Sequence, residues 1–74
     1  MQVTVELFSH FRENRFEEAT LEVPAEASVA DLLDQLKIPL ADVGVIVVNS
    51  ASGTVKKRLR AGDKVTLIPI IGGG

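Results

Sequence analysis

The chain has no cysteine, tryptophan or tyrosine, and its single histidine is His10. Without cysteine there is neither a disulfide framework nor side-chain thiolate chemistry, and a lone histidine makes no zinc site and no base-nucleophile pair. Long hydrophobic runs are missing as well. The longest apolar stretches, 43–48 and 65–71, fall far short of a membrane span, and the N-terminus lacks the basic-then-apolar pattern of a secretory signal. A cytoplasmic location with no membrane partner is the expectation. A formal net charge of −2 with mixed signs, and no tyrosine or tryptophan for base stacking, argue against nucleic acid as the main partner. One local departure is the group Lys56, Lys57, Arg58 and Arg60, read here as a solvated loop with RNA binding as the alternative.

Catalytic side chains are equally scarce. Ser9, Ser28, Ser50 and Ser52 stand at expected turns or a helix cap with no nucleophile-elbow pattern, and Glu17, Glu18, Asp31 and Asp34 resemble solvated faces. As a stand-alone enzyme the chain has almost nothing to work with, so the expectation is a protein acted upon by others.

What is present suits one small domain. Seventy-four residues, 46% apolar and 24% charged, are near the lower limit for a core that folds without disulfides or metal. Val3, Val5 and Leu7 alternate with Gln2, Thr4 and Glu6, as a strand buried on one side requires. A second short alternation runs to Val23 and stops at Pro24, which suggests an antiparallel hairpin. Ser28 reads as a helix N-cap with Asp31 three positions on, and Val29, Leu32, Leu33 and Leu36 form one apolar stripe before Pro39. The spacing predicts a helix of about ten residues. Val45 to Val48 reads as a well-buried strand, Asn49 to Gly53 as turn material, and Lys64 to Ile71 as a last strand that begins to leave the sheet at Pro69.

One helix must therefore cover one face of a mixed sheet of four to five strands. A split ferredoxin-like arrangement would need a second helix. The α+β class with a β-grasp arrangement, the first and last strands parallel at the centre, fits the element order. The expected division is a domain over residues 1–71 and a flexible glycine tail over 72–74.

Gly72, Gly73 and Gly74 do not resemble a phosphate loop, because no helix follows them. They read either as a frayed end or as backbone slim enough to thread a channel and present a carboxylate to another protein's active site. A carboxylate is a poor acyl donor, and converting it to an acyl-adenylate supplies the leaving group that sulfur or an amine can displace.

Several segments carry a resemblance over essentially the whole chain. They are Val3-Thr4-Val5-Glu6-Leu7-Phe8 with Phe11-Arg12-Glu13, the helix entry from Ala27 to Leu33, Val48-Asn49, and Leu59 with Ala61 to Pro69 before a di-glycine end. In this order they are similar to the MoaD/ThiS family of ubiquitin-like sulfur carriers. The resemblance implies a β-grasp fold and Gly73-Gly74 as the di-glycine end. It implies that an adenylyltransferase of the ubiquitin-activating type, using ATP, activates Gly74, and that a thiocarboxylate there serves a sulfur-acceptor synthase subunit. No cofactor would be bound by the chain itself. The Phe8 to Glu13 opening and Pro69 are similar to the molybdopterin-synthase branch, and Ile70-Ile71-Gly72 to the thiamine branch. A protein modifier conjugated through Gly74 to target lysines, and a β-grasp interaction module with an idle tail, are the other readings. Phe8, Ile68 and Ile70, with Ile71 and Gly72 beside the tail, are the expected docking patch on the sheet face opposite the helix, core packing being the alternative.

Overall fold

The computed structural model describes residues 1–70. Strand β1 (Gln2–Leu7) is followed by a 3-10 turn (Ser9–Arg12), strand β2 (Glu18–Glu22), helix α1 (Val29–Leu36), a second 3-10 turn (Leu40–Asp42), and strands β3 (Val43–Val48), β4 (Ala51–Ser52) and β5 (Lys64–Pro69). The five strands form one sheet in the order β2-β1-β5-β3-β4. β1 pairs parallel with β5 through Thr4↔Lys64 to Leu7↔Leu67, and antiparallel with β2. The first and last strands are thus neighbours near the middle of the sheet, as the element order requires of a β-grasp.

The alternation in β1 becomes a buried row of Val3, Val5 and Leu7, and β5 answers it with Val65 and Leu67. Helix α1 closes this face with Val29, Leu32 and Leu33, while Leu36 is half-buried at its end. Phe11 enters the same core from the 3-10 turn, and Ala27, Ile38, Leu59 and Val48 complete its rim. Burying such side chains contributes about 1.5–3 kcal/mol each.

Helix α1 spans eight residues rather than ten because Lys37 turns into the left-handed region at φ 60, so the helix stops two residues before Pro39. Its start has the capping box expected at Ser28 and Asp31. The reading of Val45 to Val48 as a well-buried strand is corrected. Only Val48 is fully buried, Ile46 and Val47 are half-buried, and Val45 is 46% exposed. Ile46 and Val48 share the covered face with Leu67 and Val65, whereas Val45 and Val47 pair with Ile68 and Thr66 on the face that no helix covers. β-branched content marks a strand; it does not say how many of its faces are covered.

Candidate functional site

The face of the sheet opposite α1 divides into two chemically different ends. Towards the start of β5, Lys64 Nζ stands 3.5 Å from Glu18 and 3.8 Å from Glu6, the Thr66 hydroxyl donates to Glu6 at 3.3 Å, and Thr4 faces Thr20. Towards the end of β5 the face turns apolar. Val45 and Ile68 are cross-strand partners, and Phe8, whose N–H donates to the Leu67 carbonyl, continues the row beyond β1. Phe8 is 36% exposed, Ile68 is half-buried and Ile70, just past the strand, is 59% exposed. These apolar groups lie where the chain departs for its glycines.

The sequence reading named Phe8, Ile68 and Ile70 together but missed Val45, which the strand register adds to them. It also missed Arg12. The 3-10 turn after Phe8 brings the Arg12 guanidinium to 5.2 Å from the Phe8 ring centroid, while its Nε donates to the Leu7 carbonyl at 2.6 Å and a terminal nitrogen lies 3.5 Å from Glu17. A cation held over an aromatic face adds about 0.5–1 kcal/mol at an exposed site and places a positive rim beside the apolar row.

The base of the tail has a defined geometry. Ile70 N–H donates to the Asp42 carbonyl at 2.9 Å, and the register of β3 against β5 shifts between Val43 and Val45. Gly44 lies at that irregularity. A Cβ there would stand 3.1 Å from the Ile70 nitrogen and the Pro69 carbonyl oxygen, so a side chain would require the facing backbone to give by a few tenths of an ångström. A glycine interrupting a valine run is the sequence signal for this crossing. Pro69, paired with Val43, is the last residue of β5, so the chain leaves the sheet at the proline as expected. Ile71, Gly72, Gly73 and Gly74, the remaining residues of the expected site, lie outside the described residues.

At the other end of β5, Asp63 is buried and both its oxygens are engaged: Asn49 Nδ2 donates to one at 2.8 Å and the Arg60 N–H to the other at 2.8 Å. Burial pushes this carboxyl up, but the bonds from Asn49 and Arg60, with the charges of Lys57 and Arg60, outweigh it and hold it below the usual carboxylate value. Asn49 Oδ1 also accepts the Lys64 N–H at 2.9 Å, so one pair of side chains ties the end of β3 to the start of β5. His10 packs edge-on to Phe11 at 5.2 Å, and no group of three or more His, Cys, Asp and Glu that could hold a metal occurs among the described residues. Among the described residues no helix is long and apolar enough to cross a membrane.

A five-strand mixed sheet gripping one helix, with the first and last strands parallel at its centre, is the ubiquitin-like β-grasp. The ThiS family model matches residues 5–74, and the chain belongs to that family. Its fold is that of the MoaD/ThiS-type sulfur carriers and of related ubiquitin-like proteins. A Pyrococcus furiosus protein described as subunit 1 of a molybdopterin converting factor superposes with a TM-score of 0.79 at 26% identity, over 96% of this chain and 99% of that one. The complex of subunits 1 and 2 of the molybdopterin-converting factor from Helicobacter pylori gives a TM-score of 0.67 at 22% identity, over 100% of both chains. SAMP1 from Haloferax volcanii gives 0.74 at 18% identity, again over 100% of both. No curated protein matches the chain by sequence.

Proposed function

We propose that the chain is a sulfur carrier in cofactor biosynthesis whose working group is the carboxylate of Gly74. An adenylyltransferase of the ubiquitin-activating type joins that carboxylate to the AMP moiety of ATP and releases pyrophosphate. Sulfur from a donor then displaces AMP, leaving a thiocarboxylate. The thiocarboxylate sulfur attacks an acceptor on a synthase subunit, and water then cleaves the acyl–sulfur bond, leaving the sulfur on the acceptor and restoring the carboxylate. ATP belongs to the partner enzyme and this chain binds no cofactor. The observation that carries the reading is the family match running to Gly74, joined to an anchored strand end at Gly44 and Asp42 from which the last residues depart. Ile71 to Gly74, if extended, reach no more than about 14 Å, enough for a backbone to enter a narrow active site while the folded body stays outside.

The apolar row of Phe8, Val45, Ile68 and Ile70 is the surface proposed to meet both partners, since it borders the point from which the tail leaves. Molybdopterin synthesis is the favoured destination and thiamine thiazole the next. Pro69, the opening from Phe8 to Glu13 and the likeness to the Pyrococcus furiosus protein support the first.

Intact-mass analysis tests the proposal. Incubation with ATP, the activating enzyme and a sulfur donor is expected to give the mass gain of one oxygen exchanged for sulfur, and deletion of Gly73-Gly74 to abolish it. A gain that survives the deletion would overturn the assignment of Gly74. Conjugates of higher mass in cell extracts, without any thiocarboxylate, would replace sulfur transfer by protein modification.

A further inference from the structure

The loop between β4 and β5 carries Lys56, Lys57, Arg58 and Arg60, four cations in five positions of a chain whose net charge is −2. None of them takes part in the ion pairs found among the described residues, which use Met1, Arg12 and Lys64. The loop is nevertheless an ordered strap. Its carbonyls accept the first two helical N–H groups of α1, Val29 to Lys57 and Ala30 to Val55, both at 2.9 Å, and Leu59 N–H donates to Ala27 at 2.8 Å. Arg58 donates to the Glu26 carbonyl at 3.1 Å. All four cationic residues are exposed, so a fixed backbone holds them out to solvent. Lys57 and Arg60 also line a hollow of about 490 Å³ whose floor includes Ser52, Gly53, Asn49 and Asp63. The Asp63 carboxylate does not compete strongly for a ligand there, because Asn49 and the Arg60 N–H already occupy both its oxygens.

We propose that this strap is a docking site for an acidic protein surface, with Lys57 and Arg60 receiving carboxylate side chains at the hollow and Lys56 and Arg58 extending the contact. It lies at the start of β5, and the tail departs from its end, about 20 Å away at ordinary strand rise. An acidic partner held there leaves the apolar row and the tail free. A protein is favoured over a nucleic acid because no aromatic side chain lines the hollow, so it offers no platform on which bases could stack.

The test is an amide NMR titration of the full chain with a short poly-L-glutamate peptide at low salt, repeated with an RNA duplex of equal charge. Shift changes are expected to concentrate at residues 49–60, and binding to weaken several-fold on going to physiological salt. The Lys57→Glu/Arg60→Glu variant should bind the peptide about tenfold more weakly, the sum of two screened charge contacts. Lys57→Gln/Arg60→Gln, which carries no reversed charge against the fold, should lie between them. Deletion of Gly73-Gly74 should leave peptide binding unchanged, which separates this site from the carrier chemistry. Shifts scattered over the whole surface, undiminished binding by both double variants, or tighter binding of the RNA than of the peptide would each overturn the proposal.

Discussion

Asn49 shows how much a single side chain decides. It sits at φ 51, a left-handed conformation that asparagine tolerates better than most residues, and bonds both the Asp63 carboxylate and the Lys64 N–H. Asn49→Ala removes both bonds and leaves Asp63 half-satisfied, so urea denaturation at neutral pH should show a loss of about 2–3 kcal/mol. The pH dependence follows from the direction of the Asp63 shift. Its folded pKa is depressed, so its contribution is present above the unfolded value of about 4 and is lost as pH falls through the lower folded value. In Asn49→Ala the folded pKa rises towards the unfolded one, and the decline in stability below about pH 4 should become shallower. Gly44 is a steric counterpart. Gly44→Ala sets a methyl 3.1 Å from backbone atoms of Pro69 and Ile70, which cannot swing aside as a side chain would. A loss of about 1–3 kcal/mol is expected, with the displacement concentrated at the end of β5.

Among the elements, α1 separates what local sequence dictates from what it does not. The Ser28 and Asp31 capping box is spelled out by residues three apart and was legible; Ser28→Ala should cost about 1 kcal/mol by thermal denaturation. The caps on its next donors were not legible, because Lys57 and Val55 supply them from a loop more than twenty residues later. The same holds at the other end, where the Arg15 side chain donates to the carbonyls of Leu36 and Lys37, and also to Phe11. Arg15, in the connection between β1 and β2, therefore acts as a brace on the helix end. β3 was misjudged for a related reason. Its valines announce a strand, but the exposure of Val45 follows from a single eight-residue helix covering one face only, and from β4 pairing with just Val47 and Val48. The reading of the terminal glycines rests on the sequence and on the family resemblance.

At the scale of the molecule, one helix covers one face of the sheet, so the other face must be either polar or occupied by something else. The charged end of that face meets the first condition through Lys64, Glu6 and Glu18. The apolar end beside the tail does not, and folding stability gains little from groups that remain largely in water. β5 allows this division to be measured within one strand. Leu67 is fully buried against α1, and Leu67→Ala should cost about 2–5 kcal/mol in urea denaturation. Ile70, three residues on and 59% exposed, loses little packing when replaced, so Ile70→Asp should shift stability by no more than about 0.5 kcal/mol. If the apolar row is where the activating enzyme grips the carrier, the same substitution buries an unpaired carboxylate at that contact and should lower kcat/KM for thiocarboxylate formation by about tenfold or more. A variant that folds normally and is loaded normally would show that the enzyme holds the tail alone, and the exposed row would then need a different occupant.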